Sequence, residues 1–117
     1  MPQVFAPNRV IDFPNIAIDE FVGTASSGTK EISIAKVISK GIWEEAWQTP
    51  EFDEYVVMLR GVVHIEHADG VTELNAGQAL LLKKGERVKW KFPSEEGAEY
   101  IPICLPAFTP DNCKREE

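Results

Sequence analysis

The sequence predicts an all-β sandwich or barrel, and three observations carry that reading. Short segments rich in β-branched and aromatic residues recur along the chain, separated by glycine turns at regular spacing. One of them, Arg87 to Phe92, alternates cation and apolar residue with period two, as a half-buried strand does. No stretch of ten residues carries a 3.6 period, and there is neither an internal repeat nor a low-complexity segment.

The elements follow in order. Residues 1–22 mix apolar side chains with Pro2, Pro7 and Pro14 and read as an extended arm rather than a helix. Gly23 to Lys30 is a polar loop. Ile32 to Ile38 is β-branched and alternating, hence a strand, and Gly41 ends it. Trp43 to Trp47 reads as a further strand before the turn at Thr49-Pro50-Glu51. Tyr55 to Leu59 is a continuous apolar run, which predicts a strand covered on both faces. Gly61 turns it, Val62 to His67 continues, and Ala68-Asp69-Gly70 signals a hairpin into Val71 to Leu74. Asn75-Ala76-Gly77 turns again, Ala79 to Leu82 reads as a buried strand, and Lys84-Gly85-Glu86 leads into Arg87 to Phe92. Tyr100 to Leu105 is the last strand. The tail from Pro106 is expected to be exposed and mobile.

A chain of 117 residues, 44% hydrophobic and 26% charged, is expected to form one domain, 1–117, that buries a core without staples. A net charge of −7 argues against a nucleic-acid partner, whose phosphates demand Lys and Arg, and against an anionic membrane surface. No apolar run approaches the roughly 20 residues that span a bilayer. The first residues lack a basic stretch followed by an apolar one, so the expected location is cytoplasmic. Cys104 and Cys113 read as reduced thiols, one in a strand and one in the tail.

Glu54 and Gly61 stand seven positions apart, followed by Asp69-Gly70 and then by Gly77 and Gly85. This layout resembles the cupin family over about residues 30–105, most nearly its small single-domain members of the ethanolamine-utilisation and ureidoglycolate-related kind. The resemblance implies a cupin-like double-stranded β-helix (jelly-roll) barrel, with residues 1–22 as an arm and 106–117 as a tail. Two positions depart from the family pattern: Gln78 replaces an aspartate and Lys83 a proline. In metal-binding cupins a His-x-His pair lies three or four residues before the glutamate, and another histidine three residues after the late glycine. Here the pair falls on Trp47 and Thr49, or on Gln48 and Pro50, and the last histidine falls on Val88. The expectation is therefore no tightly held metal and no cofactor.

By the same resemblance Glu54 points into the barrel, where an unpaired carboxylate shifts its pKa. It reads either as a proton-transfer group or ligand anchor, or as a structural carboxylate. Period two places Glu45 with Trp43 and Trp47, so Glu45 shares the barrel mouth with Glu54 or lies on a solvated rim. Trp90 lies on one face with Val88 and Phe92. Trp43, Glu45, Trp47, Val88, Trp90 and Tyr100 are the candidate ligand-binding residues, with core packing the alternative for the aromatic ones. His64 and His67 are three apart in a strand and project to opposite faces, so they cannot chelate one ion. Arg87, Lys89 and Lys91 form a cationic face. No Ser-His-Asp or Cys-His arrangement and no phosphate-binding glycine loop is readable.

The expected function is to bind a small polar or carboxylated metabolite in the barrel without a transition metal. Two alternatives stand beside it: a lyase, isomerase or hydrolase using Glu54, with or without a weak divalent ion, and a structural or partner-binding protein with a side-chain-filled barrel. The arm is too apolar to float free (Val4, Phe5, Val10, Ile11, Phe13, Ile16, Ile18), which points to a homodimer.

Overall fold

The computed structural model describes residues 1–116. Nine strands form two antiparallel sheets: β1 (Asn8–Phe13), β2 (Ile16–Val22), β3 (Ser33–Ser39), β4 (Trp43–Glu44), β5 (Asp53–His67), β6 (Gly70–Asn75), β7 (Ala79–Leu82), β8 (Lys89–Phe92) and β9 (Ala98–Leu105). The first sheet runs β1-β2-β3-β9-β5-β7 and the second β6-β5-β8-β4. Among the described residues there is no α-helix, and the fold is the all-β cupin barrel.

β5 belongs to both sheets, and Gly61 is where it crosses between them. Its φ is +82°, in the left-handed region, and an added Cβ would collide with the carbonyl oxygen of Gly97. The pairing with β9 also shifts register between Met58 and Arg60, a bulge that bends the strand. The first half of β5 turns Glu54, Val56 and Met58 inward, and the second half turns Val63 and Ile65 inward. Val56, Met58, Val63 and Ile65 join Val88, which lies just before β8, Trp90 and Phe92 of β8, and Ala98 and Tyr100 of β9 in the main core. A smaller cluster of Phe52, Cys104 and Cys113, flanked by Phe108, closes one end.

Four expectations are corrected. Only residues 1–7 lie outside the strands at the N-terminus, because Pro14-Asn15 turns 8–22 into a hairpin on the edge of the first sheet. The strand at Trp43 is two residues long. Tyr55, Val57 and Leu59 are 47%, 39% and 46% exposed, so the apolar run of β5 is covered on its inner face alone; Leu81 of β7 is likewise exposed. The tail packs rather than floats: Ala107 and Cys113 are buried, Thr49 donates its backbone N–H to Lys114, and Glu116 donates to Trp47.

Candidate functional site

Between the sheets lies a cavity of about 120 Å³, several times the roughly 30 Å³ a water molecule occupies in the liquid. Its wall is mostly apolar, with Ile16 and Ile18 from β2, Phe52 before β5 and Phe108 from the tail. Trp90 and Tyr100 meet there as a stacked pair, ring centroids 5.1 Å apart. Among the described residues the acidic groups on this wall are Glu20, Glu45 and Glu54, and the cation is Arg115.

Glu54 is placed by the alternation of β5, paired to Leu82 on one side and Cys104 on the other. Protein encloses it, and the surface it retains is cavity surface. Burial, and then the neighbouring charge of Glu45, push its carboxyl up to about 8, with no hydrogen bond acting in the other direction. Glu45 keeps 14% of its side-chain surface. Burial raises its pKa too, opposed by Arg115 at 3.8 Å. The Tyr100 hydroxyl, buried beside both carboxylates, is held well above its ordinary pKa and stays a neutral hydrogen-bonding group. Burial likewise pushes the Cys104 thiol up, with Glu54 adding to it, so the thiol is unreactive at neutral pH.

Four of the seven residues singled out in the sequence thus line one cavity: Glu54, Glu45, Trp90 and Tyr100. The other three lie elsewhere. Trp43 stacks on Phe92 with centroids 4.7 Å apart and donates its indole N–H to Ser39. Trp47 faces outward beneath the Arg87 guanidinium, 4.1 Å from the ring centroid. Val88 is 1% exposed within the main core. Trp47 does not share the side of Glu45 because the chain leaves the ladder after Glu44, and period two no longer applies. His64 bonds Glu73 at 3.2 Å and His67 bonds Thr72 at 2.8 Å, both away from the cavity.

The sequence does not place Glu20, Gln48 or Arg115 at the site, and the structure does. Glu20 follows from the parity of Ile16 and Ile18 once 16–22 is taken as a strand. Its carboxylate is occupied by Ala25 N–H at 3.1 Å and Ser26 Oγ at 2.9 Å, which fixes the following loop. Gln48 bridges Val88 through paired backbone hydrogen bonds of 2.8 and 2.9 Å. Arg115 is carried to the mouth by the tail, whose pairing with Gln48 no local pattern announces.

The bridge from Gln48 to Val88 brings together two stretches on which the metal motif of metal-binding cupins would fall. On either placement of the first pair, Gln48 with Pro50 or Trp47 with Thr49, and with Val88 at the last position, no imidazole, thiolate or carboxylate stands where first-row metals want one. Among the described residues no three His, Cys, Asp or Glu side chains gather as a metal site. The chain's residues do not fit the transition-metal centre of a metal-binding cupin.

Solved structures share the fold at low sequence identity. An oxalate decarboxylase mutant (SENS161-164DSSN) of Bacillus subtilis superposes with a TM-score of 0.78 at 14% identity, over 97% of this chain and 31% of that one. KdgF from Halomonas sp. gives 0.71 at 13% identity, over 91% and 96% of the two chains. The ethanolamine utilization protein EutQ of Salmonella typhimurium LT2 gives 0.63 at 14% identity, over 80% and 71%. A curated relative, endoribonuclease YbeY of Myxococcus xanthus strain DK1622, is 35% identical over 94 residues, which are 80% of this chain and 32% of that protein. The chain thus spans about a third of that relative's length. The EutQ-like cupin domain model matches residues 32–95, more than half of the chain, and the chain belongs to that cupin family.

Proposed function

We propose that this cupin binds a small polar or carboxylated metabolite in the barrel, with Glu54 as the group the ligand meets and no transition metal between them. The observation that carries the reading is Glu54 itself, a carboxyl enclosed by protein, turned to a cavity and given no internal hydrogen bond to compensate its burial. A group so placed lacks a partner that a ligand would supply. Near neutral pH it keeps its proton and offers a hydrogen bond to a ligand oxygen. Tyr100 lies beside it, the stacked Trp90–Tyr100 pair offers an apolar floor, and Arg115 stands at the mouth for a carboxylate. Arg115 is 55% exposed, and its contact with Glu45 is a loose 3.8 Å that a ligand carboxylate can compete with.

A second reading, proton-transfer catalysis by Glu54, is favoured by the same pKa near 8, which sits close to a working pH. The reading of a side-chain-filled barrel is disfavoured by the cavity.

The test is thermal denaturation against a panel of small mono- and dicarboxylates, hydroxy acids and their esters. A ligand at about a hundred times its Kd stabilises by about 2.7 kcal/mol, a shift of several degrees. At least one member should produce that shift, Glu54→Gln should abolish it while still folding, and Arg115→Ala should weaken the acids more than the esters. If no member moves the melting temperature at millimolar concentration, the barrel is structural and the proposal is wrong.

A further inference from the structure

Arg115 cannot turn to a ligand carboxylate without leaving Glu45 behind. The two meet at 3.8 Å, and Glu45 keeps only 14% of its side-chain surface. Among the described residues no other cation lines the cavity. Without the guanidinium, the Glu45 carboxylate must take up a proton or stay charged and unpaired against a mostly apolar wall. Either course subtracts from the affinity of a purely anionic ligand. The other carboxyls bring no relief. Glu20 is turned to its own loop, held by Ala25 N–H and Ser26 Oγ. Glu54, when ionised, only adds repulsion.

A ligand that carries its own cation avoids this cost. Its ammonium replaces the guanidinium on Glu45 while its carboxylate takes Arg115. One internal ion pair is exchanged for two, and no charge is left over. The exchange also fixes where the ligand's charges sit. Arg115 pairs through its backbone with Gln48, three residues after Glu45, and Glu45 donates its own backbone N–H to Trp90 at 2.9 Å. Both poles therefore occupy one corner of the cavity. An ammonium and a carboxylate on the same carbon reach both; charges at opposite ends of a chain do not. Glu54 and Tyr100 lie beside the corner, since each feels the charge of Glu45. The protonated Glu54 donates to the ligand carboxylate, and the Tyr100 hydroxyl oxygen accepts from the ammonium.

The rest of the wall selects the side chain. It is apolar along β2 and β3, with Ile16, Ile18, Ala35 and Val37, and the Ser33 hydroxyl there already accepts the Phe108 N–H at 3.0 Å. A ligand hydroxyl or amide laid on that surface has no partner. The volume of about 120 Å³, against about 150 Å³ for an apolar cavity that takes benzene, suits an aliphatic chain of about three to five carbons.

We infer that the ligand of the barrel is an α-amino acid with a short aliphatic side chain, its ammonium on Glu45 and its carboxylate on Arg115. The inference rests on the reading of the barrel as a metabolite site and narrows the ligand to a zwitterion.

Isothermal titration calorimetry near neutral pH tests it with matched probes: norvaline, its isomer with the amine at the far end of the chain, pentanoate (norvaline without the amine) and butylamine (norvaline without the carboxylate). Norvaline should bind at least about tenfold more tightly than each of the others. Glu45→Gln leaves no charge to strand, so norvaline should lose its advantage and pentanoate should bind as tightly. Arg115→Gln should weaken norvaline and pentanoate and leave butylamine at least as tight. If Glu45→Gln fails to fold, Arg115→Gln on the exposed side of the pair decides the same question. Pentanoate or the far-end isomer matching norvaline on the unaltered chain overturns the inference and leaves the metabolite reading standing. Butylamine matching norvaline overturns it together with the role of Arg115. Absence of binding by every probe also overturns it, and the broader acid panel then decides the metabolite reading separately.

Discussion

Glu54 is the residue whose behaviour separates a site from a relic. Its folded pKa of about 8 lies above the unfolded value of about 4.5, so the folded protein keeps a proton that the unfolded chain releases. Between those two values the unfolded state binds fewer protons, and stability falls as pH rises. The contribution is whole below about pH 4.5 and is lost as pH climbs through about 8. At 1.36 kcal/mol per pH unit, the loss across the window is on the order of 3–5 kcal/mol. Glu54→Gln removes it along with the coupling to Glu45. The variant should melt above the parent at pH 8, match it closely near pH 4.5, and show a flatter profile between. Parallel profiles for the two proteins would mean that Glu54 is ionised and partnered in the fold. The motif made Glu54 legible from sequence, and its neighbourhood made Glu45 legible. Trp47 misled because alternation was extended past the point where the strand ends. Arg115 was invisible because nothing local says that a C-terminal basic residue returns to the barrel.

Among the elements, β5 shows why a glycine belongs seven residues after the glutamate. Gly61 combines φ of +82° with a Cβ position already occupied by the Gly97 carbonyl, so it both bends the strand and lets β9 approach. Gly85 has φ of +85° but open space around its Cβ position. Gly85→Ala should therefore cost about 1–2 kcal/mol, the left-handed strain alone. Gly61→Ala adds a backbone collision and should cost at least twice as much, about 3 kcal/mol or more. Chemical denaturation of the two variants measures the difference, and equal losses would show that the crossing adds nothing to the turn. The hairpin at Asp69-Gly70 and the alternation of β8 were readable because each is local. The hairpin β1–β2 was missed because three prolines drew attention from the turn that only one of them makes. The outer face of β5 was misread because an apolar run looks the same whether its second face is covered by the core or left open.

At the scale of the whole molecule, the charge of this chain argues against a nucleic-acid partner. The excess is −7, and eight of the twelve Lys and Arg residues already face a carboxylate of their own chain: Arg9, Lys36, Arg60, Arg87, Lys89, Lys91, Lys114 and Arg115. Phosphate binding needs cations that can release counterions, gathered on one surface. Here the charges on the outward faces of both sheets are paired with one another: Arg9 with Asp19, Lys36 and Arg60 with Glu99, Lys89 with Glu44 and Lys91 with Glu66. The stacked pair Trp90–Tyr100 lines the cavity, and the pair Trp43–Phe92 packs against the core, so neither offers an exposed platform on which a strand of bases can lie. The 94 residues shared with the Myxococcus xanthus protein leave about two thirds of that protein outside the match. The expected result is that a fluorescent single-stranded RNA at low salt gives no anisotropy change with micromolar protein and is not cut. A salt-sensitive rise at those concentrations, steepening as ionic strength falls, would reveal a basic surface at odds with this charge distribution. It would carry the relative's RNA chemistry into the cupin domain itself.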